Sequence, residues 1–178
     1  MAQERTGVAT LKGNPLTLLG PELNVGDAAP QFTARKGLAD VSSADYNGTV
    51  RIISSVPSLD TPVCDAQTRR FNEEASALSG VKILTVSMDL PFAVNRFCET
   101  AGIQNVEVLS DYNTRDFGQK YGVLIKEHNL DMRAIFVVDA NNTIVYKEIV
   151  PEMTEHPNYD AALAAARTAG AAAASANA

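Results

Sequence analysis

Three runs of apolar, largely β-branched residues set the frame of the chain. Val50-Arg51-Ile52-Ile53-Ser54-Ser55-Val56 and Val81-Lys82-Ile83-Leu84-Thr85-Val86-Ser87 predict buried strands. Arg133-Ala134-Ile135-Phe136-Val137-Val138-Asp139 predicts a third, and Asn141-Asn142 turns it into a partner strand from Thr143 to Val150. Pro57 stops the first run, because proline has no N–H for a ladder, and a helix is expected from Thr61 to Leu78. Further helices are expected at 91–100, 113–121 and 159–168, with a short strand at 106–109. Residues 7–19 predict a hairpin with Gly13-Asn14-Pro15 as its turn. Residues 20–48 mix Gly, Pro, Asp and short apolar pieces and predict only a turn at Asn47-Gly48. Strand–helix–strand–helix, then a hairpin and a helix, is the order of an α/β mixed sheet flanked by helices. Residues 170–178 are alanine and small polar residues, expected as a frayed, flexible tail beyond a single domain of residues 1–169.

Composition narrows the function classes. The 178 residues amount to one domain of ordinary hydrophobicity, 46%. Fifteen basic against 21 acidic residues give a net charge of −6, which argues against a broad nucleic-acid surface. No apolar run approaches the ~18 residues that span a bilayer. Glu4 and Arg5 interrupt the N-terminus, so no secretory signal is expected and a cytoplasmic location is. No Gly-x-Gly occurs, which removes the dinucleotide fingerprint and the P-loop. His128 and His156 are isolated in polar, loop-like surroundings, so no metal site is expected. Asn47-Gly48-Thr49 and Asn141-Asn142-Thr143 read as turns rather than glycosylation sites.

Two cysteines remain, with no Cys-x-x-Cys between them. They are either buried small side chains or chemistry. Cys64 follows Thr61, a good N-cap, and Pro62, which suits the first helical position. It therefore falls in the first helical turn, where unpaired amides and the positive end of the helix dipole favour a thiolate. Cys98 lies well inside its expected helix, which Asp89 or nearby backbone would cap and Pro91 would start. Val94 and Ala101 flank it, and on those residues alone it reads as core.

The run Ser58-Leu59-Asp60-Thr61-Pro62-Val63-Cys64, with Pro57 ahead of it, resembles the active site of the peroxiredoxins, in particular their thiol peroxidase branch, the atypical two-cysteine type. Asp89-Leu90-Pro91-Phe92-Ala93-Val94-Asn95-Arg96-Phe97-Cys98 is similar to that branch's resolving-cysteine motif, and the spacing of 34 residues (98 − 64) also resembles it. Arg133-Ala134-Ile135-Phe136-Val137-Val138-Asp139 resembles the strand whose arginine reaches the reactive sulfur. The likeness spans about residues 7–167, including Tyr121-Gly122-Val123 and Glu155-His156-Pro157-Asn158-Tyr159-Asp160.

The resemblance implies a thioredoxin-like fold with an N-terminal hairpin, and a thiol-specific peroxidase that reduces hydrogen peroxide and alkyl hydroperoxides without a cofactor. It implies that Cys64 attacks the peroxide and Cys98 resolves the product as an intramolecular disulfide. It further implies thioredoxin as reductant, a role in antioxidant defence, and a homodimer with Leu59 and Asp60 near its interface. Thr61, the Val63 and Cys64 amides and Arg133 would hold the peroxide, and Pro57 would wall the pocket. Asp131, where the family is leucine-rich, would share a strand face with Arg133 and compete for its guanidinium. The alternative functions are a redox sensor, or a thiol–disulfide exchange protein using the same cysteine pair.

Overall fold

The computed structural model describes residues 2–176. The chain opens on an antiparallel hairpin, β1 (Glu4–Leu11) and β2 (Asn14–Leu19). Its turn is Lys12-Gly13, with φ of 49° and 81°, rather than Gly13-Asn14-Pro15. A two-residue turn left-handed at both positions matches the twist of hairpin strands, and Asn14 and Pro15 then open the second strand. Residues 20–48, expected only to turn, hold a second hairpin, β3 (Thr33–Lys36) and β4 (Ala39–Ser42). Its sequences, TARK and ADVS, are short and polar, so periodicity carried no strand signal there.

The centre follows the expected order. β5 (Val50–Ser55), β6 (Val81–Ser87) and β7 (Glu107–Ser110) run parallel, joined by α1 (Pro62–Ala75) and α2 (Pro91–Ala101). After α3 (Asp116–Lys120), the pair β8 (Leu124–Ile125) and β9 (Leu130–Asp131) extends the sheet of the N-terminal hairpin. β10 (Ala134–Val138) and β11 (Ile144–Ile149) pair antiparallel, with β10 against β5. The main sheet reads β11-β10-β5-β6-β7-β3-β4, and α4 (Tyr159–Ala176) ends the described chain.

Alternation along the central strands feeds two cores. Ile52, Ile135 and Val137 pack with Cys64, Phe71 and Leu163, whereas Ile53, Phe136 and Val138 pack with Leu18, Phe117 and Tyr121. The N-terminal layer closes tightly on α3. A Cβ at Gly122 would lie 2.0 Å from the Pro21 carbonyl oxygen, and its φ of +67° is one that side chains disfavour.

Three helices differ from expectation. α1 stops at Ala75 rather than Leu78. α3 has five residues rather than nine, because Arg115 ahead of it is left-handed, φ 55°. The expected tail from Gly170 continues α4 as helix to Ala176, and the helix crosses the boundary drawn at 169. Alanine is the best helix former, and Ala166 and Ala169 are buried. The last two residues of that expected tail, Asn177 and Ala178, lie outside the described residues.

Candidate active site

Pro62 is the first residue of α1, which makes Cys64 the third. The first helical bond runs from the Asp65 N–H to the Thr61 C=O at 2.9 Å. The Val63 and Cys64 amides therefore precede the ladder, as helix geometry requires. Thr61 stands at the N-cap in extended conformation, but its side chain makes no capping bond. Instead Thr61 Oγ1–H donates to the Ser58 C=O at 3.0 Å and closes the loop ahead of the helix. Pro57 is buried beside this loop. Leu59 is also buried.

Cys64 is fully buried, and Arg133 reaches it from the strand side. Arg133 is 2% exposed, between β9 and β10. Its Nη2–H donates to Cys64 Sγ at 3.2 Å, its Nη1–H to Gln67 Oε1 at 2.9 Å and its Nε–H to the Met153 C=O at 2.9 Å. Gln67 in turn donates Nε2–H to Ser54 Oγ at 2.7 Å. A helix, a loop and, through Gln67, a strand thus fix the guanidinium, with one N–H aimed at sulfur. A charged donor at that distance stabilises an anionic sulfur.

Gln67 and the Met153 carbonyl are the partners that sequence reasoning missed. Gln67 had a readable signal. Cys64, Gln67, Thr68 and Phe71 form a buried stripe at helical spacing, and a buried amide needs partners. The Met153 carbonyl had none, since any residue supplies one.

Asp131 does not compete for Arg133. Its carboxyl is fully buried, neither oxygen has a hydrogen-bond partner among the described residues, and Arg133 spends its bonds elsewhere. Asp131 instead faces Asp111 across Gly118, where an added Cβ would lie 2.3 Å from Asp131 Oδ1 and 3.3 Å from Asp111 Oδ2. Asp111 accepts the Phe117 and Gly118 amides at 3.0 and 2.8 Å. Burial, with the Asp111 charge adding to it, holds Asp131 well above the usual carboxylate range. Burial pushes Asp111 up to about 6, against its two amide bonds.

This acid pair has a consequence for stability. Both groups bind protons more tightly folded than unfolded, so their contribution is fully present at low pH and is lost as pH rises from about 4 through 6 and above. Asp131→Asn keeps the shape, removes one ionisation and offers an N–H to Asp111. The variant is expected to melt at a higher temperature than wild type at pH 8. The gain should shrink toward pH 4. Thermal melts from pH 4 to 8 check this, and parallel melting curves for the two proteins would contradict it.

Cys98 sits in the third turn of α2, half-buried beside Val94 and Phe97. Burial pushes its thiol up, partly opposed by Lys36. Cys64 and Cys98 are both free thiols on separate helices. A groove of about 640 Å³, lined by Leu59, Pro62, Arg69, Ala93, Phe97 and Ala101, lies between those helices. Asp89 does not cap α2. The N-cap is Leu90, without a side-chain bond, and the Asp89 carboxylate turns toward the loop of Cys64.

Comparison with known proteins matches residues 24–163 to the Redoxin family. A thiol peroxidase of Halalkalibacterium halodurans is 55% identical over 161 residues, covering 90% of this chain and 97% of that one. The thiol peroxidase of Bacillus subtilis is 53% identical over 159 residues, covering 89% and 95%. Among solved structures, a peroxiredoxin-like protein from Aquifex aeolicus superposes with a TM-score of 0.85 at 46% identity, covering 92% of this chain and 96% of that one. No helix among the described residues is long and apolar enough to cross a membrane.

Proposed function

The chain belongs to the thiol peroxidase branch of the peroxiredoxins, and from that premise we propose that Cys64 is its peroxidatic and Cys98 its resolving cysteine. The substrates are hydrogen peroxide and organic hydroperoxides, and thioredoxin is the reductant. A cytoplasmic location and a homodimer belong to the same proposal. The observation that carries it is the Arg133 Nη2–H held 3.2 Å from Cys64 Sγ, at a helical turn whose amides are not yet engaged.

The Cys64 thiolate attacks the terminal peroxide oxygen. The O–O bond breaks, sulfur gains the oxygen as a sulfenic acid, and the leaving alkoxide or hydroxide takes a proton. Arg133 and the Val63 and Cys64 amides supply donors to the peroxide as charge moves onto the leaving oxygen, while Thr61 Oγ1, whose proton goes to Ser58, is left to accept the peroxide O–H. Pro57 limits water. The Cys98 thiolate then attacks Cys64 Sγ, and the sulfenic oxygen leaves as water. Cys64 and Cys98 are free thiols that do not stand at disulfide distance while both helices are wound, so this second step requires local unwinding. Once formed, the disulfide closes a loop of about 34 residues, worth roughly 4 kcal/mol against global unfolding in the chain-entropy model. The dithiol of thioredoxin returns two electrons.

A peroxide assay coupled to thioredoxin tests the proposal. Wild type is expected to turn over catalytically. Cys98→Ser should complete one rapid round and then stall, with Cys64 accumulating as sulfenic or over-oxidised acid. A Cys98→Ser protein that cycles with thioredoxin at the wild-type rate would remove Cys98 from the mechanism. Negligible peroxide consumption by wild type would favour a redox sensor or a thiol–disulfide exchange protein.

A further inference from the structure

The Asp89 carboxylate joins two loops that the chemistry must separate or realign. Oδ1 accepts the Ser58 Oγ–H at 2.7 Å, and Oδ2 accepts the Leu59 N–H at 2.7 Å and the Ser87 Oγ–H at 2.9 Å. Ser58 and Leu59 stand six and five residues ahead of Cys64, and Asp89 stands nine ahead of Cys98. Ser58 also accepts the Thr61 hydroxyl through its carbonyl, so the N-cap of α1 hangs from the same loop. Ser110 Oγ–H donates to the Asp89 carbonyl and anchors the carboxylate's own backbone to β7.

We propose that Asp89 is a positioning residue that clips the loop ahead of Cys64 to the loop ahead of Cys98, and so sets the balance between the wound state that meets peroxide and the unwound state that meets Cys98. The proposal rests on the reading of Cys64 and Cys98 given above. Once peroxide has oxidised Cys64 to the sulfenic acid, two fates compete. Cys98 attacks sulfur, expels the oxygen as water and forms the disulfide. Alternatively a second peroxide adds another oxygen, is itself reduced to alcohol or water, and leaves a sulfinic acid. The first fate needs the opening turn of α1 to leave its place beside the groove, and the second does not. Bonds from Ser58 and Leu59 to Asp89 stabilise only the wound arrangement. They therefore hold Cys64 in its reactive setting and slow its escape to Cys98, as any interaction specific to one of two states shifts their populations.

Asp89→Asn tests this, because it removes the charge and one of the two acceptor oxygens that hold Ser58 and Leu59. Reduced protein is mixed with hydrogen peroxide, quenched over time and resolved by mass into sulfenic acid, sulfinic acid and Cys64–Cys98 disulfide. Disulfide formation is expected to speed up about tenfold, the scale of one hydrogen bond to a charged group. The peroxide dose that gives half sulfinic acid should rise by a similar factor, while the first oxidation of Cys64 slows. Ser58→Ala removes the partner of Oδ1, leaves Asp89 in place, and should shift both readouts the same way by less. It decides the matter if Asp89→Asn does not fold. Folded variants with an unchanged or slower disulfide step overturn the proposal and reduce Asp89 to a loop-shaping residue. Failure of the underlying reading is distinguishable, since wild type itself would then form no Cys64–Cys98 disulfide.

Discussion

Cys64→Ser protein, folded as wild type, is expected to consume no peroxide above the uncatalysed background. Serine matches cysteine in shape and fits the buried site, so the loss would be chemical. A thiol supplies a ready anion and a soft, intrinsically strong nucleophile near neutral pH, whereas a serine hydroxyl needs an adjacent base. Among the described residues, no histidine hydrogen-bonds Cys64 or Arg133. The two in the chain are His128, beyond β8, and His156, which bonds the Tyr159 hydroxyl. Peroxide loss, followed with and without thioredoxin, is the measurement. Substantial thioredoxin-linked turnover by the serine variant would move the nucleophile elsewhere.

Arg133→Met is the second large effect. Methionine keeps an unbranched stem and deletes the charge that meets sulfur at 3.2 Å. A hydrogen bond to a charged group contributes roughly 1.5–3 kcal/mol, which is about one to two powers of ten in rate if made only in the transition state. Stability should also fall, because Gln67 Oε1 and the Met153 carbonyl lose their donor inside the core. Arg133→Lys separates the two roles. It keeps the charge but not the planar fork that serves sulfur, amide and carbonyl together, so it should recover part of the rate and little of the stability. Stopped-flow kinetics with peroxide at pH 7, alongside thermal melts, check this. A wild-type second-order rate in Arg133→Met would make Arg133 a purely structural buried cation.

The elements that position the site were legible in the sequence because burial wrote them there. β10 is a continuous apolar run, β5 and β6 carry β-branched apolar residues among polar ones, and Thr61-Pro62 fixes where α1 begins, which alone puts Cys64 in the first turn. What escaped was polar or local. TARK and ADVS pair as strands through backbone bonds that leave no periodicity. Arg115 shortens α3 by adopting a left-handed φ that arginine rarely takes. Thr61 is the residue type that caps helices, yet its hydroxyl turns to Ser58, a choice between two nearby backbone partners that sequence does not decide. Asp131 was near Arg133 in sequence and was expected to reach for it, but β9 turns it instead toward Asp111 and Gly118. Asp89 illustrates the same limit, since both its loops were visible and their joining was not.

In the proposed cycle, peroxide passes its oxidising equivalents through Cys64 to Cys98 within one chain. Titrating reduced wild-type protein with hydrogen peroxide, then mapping alkylated and cross-linked peptides by mass, tests this most directly. One equivalent of peroxide should remove both thiols and yield one intramolecular peptide pair joining Cys64 to Cys98, reversed by thioredoxin. Two thiols still free after that equivalent, or disulfides only between chains, would contradict it.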